Sequence, residues 1–158
     1  MPDNLAQMID KLQALLMGNI TIFNNHVCTS AIRQALLALN QACPSNAALT
    51  MDAVSDQYEY ELDDADALLM VDVLRQGTDT YADENVSLDF DFYIEDDRPF
   101  FRLHVPEATG TTLIVRYTVP YTINGLDDET ETTLSSSHQV VLLDGAAWRA
   151  CLLRPSIS

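Results

Sequence analysis

Residues 132–154 read TTLSSSHQVVLLDGAAWRACLLR, a change from hydroxyl side chains to a run rich in Val, Leu and Ala. The serines at 135–137 suit a helix N-cap and Pro155 stops a helix, so we predict a helix over 135–154. A helix this apolar in a soluble chain needs a surface to pack on. The order of the remaining elements indicates which surface that is.

Two amphipathic helices are predicted at the start of the chain. In residues 3–17 the apolar side chains recur with the 3.6-residue period of a helix, and Gly18 is placed to end it. After a bridge of about ten residues, Thr29 opens a second helix that ends at Pro44. Residues 1–44 are therefore expected to be helical.

From Gln57 the apolar period changes to two, the repeat of a β-strand with one exposed face. About five strands are predicted, separated by acidic turns: QYEYEL, ALLMVDVL, LDFDFYI, FFRLHV and TTLIVRYTV. Strands and helices do not alternate, which indicates an α+β class. We expect a single domain over 1–158, with a mostly antiparallel β-domain at 57–122 between the helical segments.

The strongest compositional feature is negative charge. The chain has 24 Asp and Glu against 8 Lys and Arg, a formal net charge of −16. Such a surface repels DNA and anionic membranes and favours basic partners or none, although ordinary solubility also explains it. No apolar run approaches the roughly 20 residues of a membrane helix, and no secretory signal is recognisable. The three Cys are predicted to be buried free thiols of a protein made in a reducing cytoplasm.

Residues with the chemistry of a catalytic or metal site are scattered. No GxGxxG, Walker A, GxSxG, HExxH or CxxC motif occurs. The three histidines lie in separate elements without ligand spacing: His26, His104 and His138. Nothing orients His26 as a base for Cys28, and the alternation of DFDFYIEDD places Asp89 and Asp91 on a strand rather than in a calcium loop. We predict no catalytic residue, cofactor or metal ion, and a structural protein rather than an enzyme.

Three segments together have a familiar order: AIRQALLALNQACP at 31–44, TTLIVRYTVPYTINGL at 111–126, and residues 132–154. In this order the chain resembles the head–tail connector proteins of tailed bacteriophages, also called neck adaptor or head-completion proteins. The first segment is similar to the family's Ala/Leu-rich helix ending at Pro, and the second to its late strand with Tyr and a linker. The third is similar to its Thr-Leu opening and Gly-Ala-Ala helix, although Ser135 stands where the family often has Pro.

The resemblance implies a structural virion protein that forms a ring between the portal and the tail. Such rings are often twelve-fold, and DNA passes through them without tight binding. The implied partners are further copies of the chain, the portal protein and a downstream neck or tail protein, with no membrane. The implied location is the virion neck, after assembly in the host cytoplasm. The helix at 135–154 is then expected to pack on the two N-terminal helices.

The resemblance also suggests roles for particular residues. Small residues would let another helix approach: Gly145, Ala146, Ala147 and Ala150. Larger ones would bury apolar area: Val140, Val141, Leu143 and Leu152. The candidate contacts with a neighbouring subunit or partner are Trp148, Arg149, Val140, Ala147 and Leu152, with a place in the helical core as the alternative for Trp148. The candidate carboxylates of a DNA channel are Asp127, Asp128, Glu129 and Glu131, or else Asp63, Asp64 and Asp66.

Two other functions are consistent with the sequence. An acidic inhibitor that mimics DNA and binds a basic host protein would need carboxylates in phosphate-like rows, whereas many here fall in predicted turns. A carbohydrate- or metal-handling β-domain would depend on Asp89 or Asp91.

Overall fold

The computed structural model describes residues 1–62, 69–77 and 85–153. The chain divides into two compact units, one formed by residues 1–44 with the chain from Tyr121 onward, the other by residues 45–120. The first unit contains helices α1 (Leu5–Leu15), α2 (Asn25–Ala42) and α3 (Ser136–Leu153). The second contains the strands, so the α+β class and the central antiparallel β-domain are confirmed.

Helix α1 forms because both of its ends are capped and one face is apolar. The side chain of Asn4 accepts from the Gln7 N–H, and the Gln7 side chain accepts from the Asn4 N–H, which is a capping box. The helix ends at Leu15 with Leu16 as its C-cap, and Met17, with φ of +63°, takes the left-handed C′ position. Gly18 follows it, also at positive φ, and donates its N–H to the Gln13 carbonyl at 2.8 Å. The predicted C′ stop at Gly18 is therefore one residue too late.

Helix α2 begins four residues earlier than predicted. The start at Thr29 is wrong because Asn24 is the N-cap, its side chain accepting from the Val27 N–H at 3.0 Å. The extra turn places Cys28 in the core, where it is fully buried. The predicted end is confirmed, since the helix stops at Ala42 just before Pro44.

Helix α3 packs on α2 and α1, as expected. Ser135 accepts from the His138 N–H at 3.3 Å, consistent with the predicted serine cap. The buried side of the helix consists of Gln139, Leu142, Leu143, Ala146 and Ala150. A Cβ added to Gly145 would lie 3.9 Å from the Cβ of Ala35, so small residues do allow α2 and α3 to approach closely.

The segment between the β-unit and α3 is tied to the first two helices by hydrogen bonds. Asn40 accepts from the Tyr121 N–H at 2.7 Å and donates to the Tyr121 carbonyl at 3.2 Å. Leu5 donates its N–H to the Asn124 carbonyl, and the buried Thr132 hydroxyl donates to the Asp3 carbonyl, both at 2.9 Å. This segment is therefore anchored, and it contributes buried side chains to the helical core, among them Tyr121, Ile123, Leu126 and Leu134.

The β-unit contains seven strands within the described residues, more than the five or so predicted. They are β1 (Ser45–Asp52), β2 (Glu59–Glu61), β3 (Leu69–Arg75), β4 (Val86–Ser87), β5 (Phe90–Glu95), β6 (Arg98–Leu103) and β7 (Thr112–Val119). They form two antiparallel sheets, in the orders β1-β7-β3-β4 and β2-β6-β5. One shared apolar core includes Tyr60, whose ring stacks on Phe101 at 5.2 Å, and Val115. No helix in the described part of the chain is long and apolar enough to span a membrane.

We predict that Asn40→Ala lowers the free energy of unfolding by about 1–3 kcal/mol, because it leaves the N–H and C=O of the buried Tyr121 without these partners. Urea unfolding checks this. Gln41→Ala is the control, since it removes an amide from an exposed position of the same helix. Helix propensity alone favours Asn40→Ala over Gln41→Ala, so a larger loss in Asn40→Ala reports the lost hydrogen bonds. Equal stability of the two variants would contradict the prediction.

Candidate functional site on the last helix

Helix α3 carries large apolar side chains on the side that faces away from its core, in a row that also contains the exposed Asp144 one turn from Val140 and one turn from Trp148. Val140, Val141, Trp148 and Leu152, which we call the outer face, are 60–66% exposed. The helical repeat places Trp148 about 160° around the helix from Ala146, which is fully buried. A surface helix of a soluble protein normally carries polar residues on this side, and an exposed apolar patch often marks an interaction site.

Two expectations for α3 are corrected by this arrangement. Val140, Val141 and Leu152 were expected to bury apolar area, but they are exposed because Leu142, Leu143 and the buried alanines occupy the side packed on α1 and α2. The alternative that Trp148 fills the helical core is also wrong, since its side chain is 63% exposed.

Arg149 lies beside Trp148 and adds a positive charge at the edge of the outer face. Its guanidinium carbon is 5.7 Å from the Trp148 ring centroid, within the range of a cation–π contact. The same guanidinium donates to the Gly145 carbonyl at 3.1 Å. Of the predicted contact residues, Val140, Trp148 and Leu152 thus share the outer face with Arg149 at its edge, whereas Ala147 is partly buried against the helical core.

A groove runs next to the outer face, between α1 and α3. It has a volume of about 440 Å³ and is lined by Lys11, Ala14, Leu15, Val140, Leu143 and Asp144. Four of these side chains are apolar, and Leu15 is 54% exposed. The sequence analysis did not predict this groove. A signal for it was present, because the end of α1 has more apolar residues than its buried side requires.

The predicted channel carboxylates lie in the turn after the β-unit, and one of them is paired. Arg33 of α2 holds Asp127 in a two-pronged ion pair, with Nη2 at 2.7 Å from Oδ1 and Nε at 3.1 Å from both carboxylate oxygens. This hydrogen bonding holds the pKa of Asp127 below its usual range and raises that of Arg33. Asp127 and Asp128 both have φ near +60°, a conformation that Asp tolerates better than most residues.

The remaining carboxylates of this turn are free of such pairing. Asp128, Glu129 and Glu131 are exposed and form no ion pair with any residue in the described ranges. The alternative channel group of Asp63, Asp64 and Asp66 lies outside the described residues. The arrangement leaves three exposed negative charges on a segment that the solvent-exposed Arg33–Asp127 pair links to α2.

Acidic side chains on the outer side of the sheet β2-β6-β5 alternate with arginines. The register places Arg102 between Glu59 and Asp91, and Arg98 opposite Glu95. Arg98 also lies 3.3 Å from Glu61. A hydrogen bond to Glu59 raises the pKa of Tyr93 to about 12. This face is therefore a set of cross-strand charge pairs rather than an uncompensated acidic row.

The histidines and cysteines form no metal-binding cluster within the described residues. His104 is 3.0 Å from Asp91, and the described residues contain no group of three or more His, Cys, Asp or Glu able to hold a metal ion. Burial raises the pKa of the Cys28 thiol. Cys43 and Cys151 are exposed, so the expectation of three buried thiols is wrong for two of them. Cys151 lies on α3, three residues after Trp148.

Comparison with known proteins assigns the chain to no family. No model of a protein family matches it, and no curated protein is similar in sequence. Among solved structures, the chain is similar to one described as the neck of an empty GTA particle computed with C6 symmetry, with a TM-score of 0.40 and 13% identity. That similarity covers 90% of this chain and 87% of the other. A likeness this weak defines neither a family nor a function.

We predict that Asp127→Asn lowers the free energy of unfolding at neutral pH by less than about 1 kcal/mol, because the Arg33 pair is exposed to solvent. The pKa of Asp127 is lower in the folded than in the unfolded state. The contribution of the ion pair to the free energy of unfolding is therefore fully present above the unfolded-state pKa, and it is lost as pH falls through the folded-state pKa. Urea unfolding at pH 7 and in acid measures both effects. Asp128→Asn is the control, since it makes the same change at positive φ without an ion pair; an equal loss in both variants would contradict the prediction.

Proposed function

We propose that the protein is a non-enzymatic structural component of a phage-like virion neck, and that it assembles into a ring through the outer face of α3. The observation that carries the proposal is this outer face, an apolar surface with an exposed Trp on a helix whose other side already forms the core of its unit. The resemblance of residues 31–44, 111–126 and 132–154 to head–tail connector proteins supports the neck as the place of assembly.

The outer face has the composition of a protein–protein contact. Trp and Arg are enriched among the residues that dominate binding energy at interfaces, and Trp148 and Arg149 lie together here. Burying the exposed Val and Leu side chains around them stabilises association by about 25 cal/mol per Å² of apolar area. A cyclic ring requires two different faces of each subunit to match, so the outer face contacts a different surface of the neighbouring copy.

The charge of the chain suits a passage for DNA rather than a DNA-binding site. Asp128, Glu129 and Glu131 are exposed and unpaired with the described residues, and carboxylates lining a bore would release DNA because they neutralise no phosphate. We propose that these three residues line the channel of a ring; in the family that the chain resembles, such rings are often twelve-fold. The portal protein and a downstream neck or tail protein are the proposed partners, and the virion neck is the proposed location.

The DNA-mimic function is a weaker candidate. Its binding surface needs uncompensated carboxylates in rows, whereas Arg98 and Arg102 interrupt the acidic side chains of the sheet β2-β6-β5. A stoichiometric complex with a basic host protein that DNA competes away would favour that function instead.

Light scattering of the purified chain, alone and mixed with portal assemblies, tests the proposal. We predict a ring-sized species, or stoichiometric binding to the portal particles that protects the outer face. A species that keeps the monomer mass of 17.6 kDa and does not bind portal particles would contradict the proposal.

We predict further that Trp148→Ala abolishes this assembly or weakens it at least about tenfold, while changing the free energy of unfolding little, because the side chain is exposed in the subunit. The matched control is Ile94→Ala, which removes a similarly exposed apolar side chain (58%) from the β-unit. Assembly that responds equally to both substitutions would mean that the outer face has no special role.

A further inference from the structure

The outer face and the groove between α1 and α3 have complementary chemistry, and the groove is large enough to hold an indole ring. We infer that Trp148 of one subunit binds in the α1–α3 groove of the next subunit, so that each copy contributes one side chain and one groove. This rests on the proposed function, since it specifies the two faces of the proposed ring contact.

The groove has the size and lining that an indole ring requires. Its volume of about 440 Å³ lies within the roughly 300–1,000 Å³ of sites that enclose small organic molecules. Ala14, Leu15, Val140 and Leu143 provide apolar walls. Trp148 is the only tryptophan of the chain and is 63% exposed, so it gains more from such a site than a smaller exposed side chain would.

The charged groups around the two surfaces are also compatible. Lys11 and Asp144 both line the groove; Lys11 is ion-paired with Asp3, whereas Asp144 forms no ion pair with any described residue. Arg149 accompanies Trp148, so a seated Trp148 brings Arg149 of one copy towards Asp144 of the next. The Asp144 carboxylate is also an acceptor for the indole N–H, a donor that generally finds a partner when it is buried. In a chain with a net charge of −16, a contact that joins opposite charges avoids the general repulsion between copies.

Within the proposed ring this contact is head-to-tail. Val140 belongs both to the outer face and to the groove wall, and it lies about 80° around α3 from Trp148, so the inserted side chain and the receiving groove are adjacent on one subunit. A heterologous contact of this kind propagates from copy to copy and closes into a ring when the rotation between copies allows it. A two-fold pair in which each Trp148 enters the groove of the other copy would stop at a dimer, so the mass of the assembly separates the two arrangements.

Fluorescence gives the first test, because all tryptophan emission of the chain comes from Trp148. We expect solvent-exposed emission from the free subunit, and a shift to shorter wavelength together with slower acrylamide quenching on assembly. Assembly without any change in emission or quenching would overturn the inference, since Trp148 would then still be in water.

The second test blocks each surface separately. Trp148→Ala removes the inserted side chain, and Ala14→Phe fills the groove from an exposed position of α1. Ala6→Phe is the matched control, the same substitution at an exposed position of α1 that does not line the groove. We expect the first two variants to assemble at least about tenfold more weakly than the unmodified chain, and Ala6→Phe to assemble normally.

Mixing the two blocked variants tests whether Trp148 and the groove belong to the same contact. The Trp148→Ala subunit keeps its groove and the Ala14→Phe subunit keeps its Trp, so one productive contact remains and we expect a 1:1 dimer of twice the subunit mass. A mixture that stays monomeric, or an Ala14→Phe variant that forms normal rings, would overturn the inference while normal assembly of the unmodified chain still supports the proposed function. If the unmodified chain neither assembles nor binds portal particles, the proposed function itself fails.

Discussion

The close contact of α2 and α3 determines what the helical unit can present to other molecules. The contact is formed by Gly145 and by Ala146 and Ala150, which are both fully buried. A Cβ added to Gly145 would lie 3.9 Å from the Cβ of Ala35, so the two helices approach closely here. Because small residues form this contact, the larger side chains of α3 lie on two other parts of the helix surface, one facing the core and one facing outward. Leu142 and Leu143 complete the core, and Trp148 with its neighbours is left facing outward.

The remaining parts of the unit hold this contact in place. The segment after the β-unit is fixed at one end by Asn40 and at the other by Thr132, both through hydrogen bonds to backbone groups. The exposed Arg33–Asp127 pair adds a salt-sensitive link between α2 and the acidic turn. The outer face of α3 and the unpaired carboxylates of the turn thus belong to one unit with a single apolar core, which is what a rigid building block of an assembly needs.

Much of this architecture could be predicted from the sequence, because helix periodicity and caps are local signals. The end of α2 before Pro44 and the cap before α3 follow from backbone preferences of Pro and Ser, and the end of α1 was predicted to within one residue from Gly18. Strand β1 was missed because SNAALTMD contains few β-branched or aromatic residues, and its pairing with β7 depends on a partner far away in sequence. The sequence also did not show which side of α3 faces the core. Apolar residues lie on both sides of this helix, so its periodicity does not separate core from surface.

The central claim is that the outer face of α3 becomes buried when the protein assembles, and thiol alkylation measures this most directly. Cys151 is exposed on α3 close to Trp148, while Cys43 is exposed at the end of α2 and serves as an internal reference. We predict that assembly with portal particles slows alkylation of Cys151 strongly and leaves that of Cys43 nearly unchanged. Equal rates for Cys151 before and after assembly would contradict the account, because the outer face would then remain in contact with solvent.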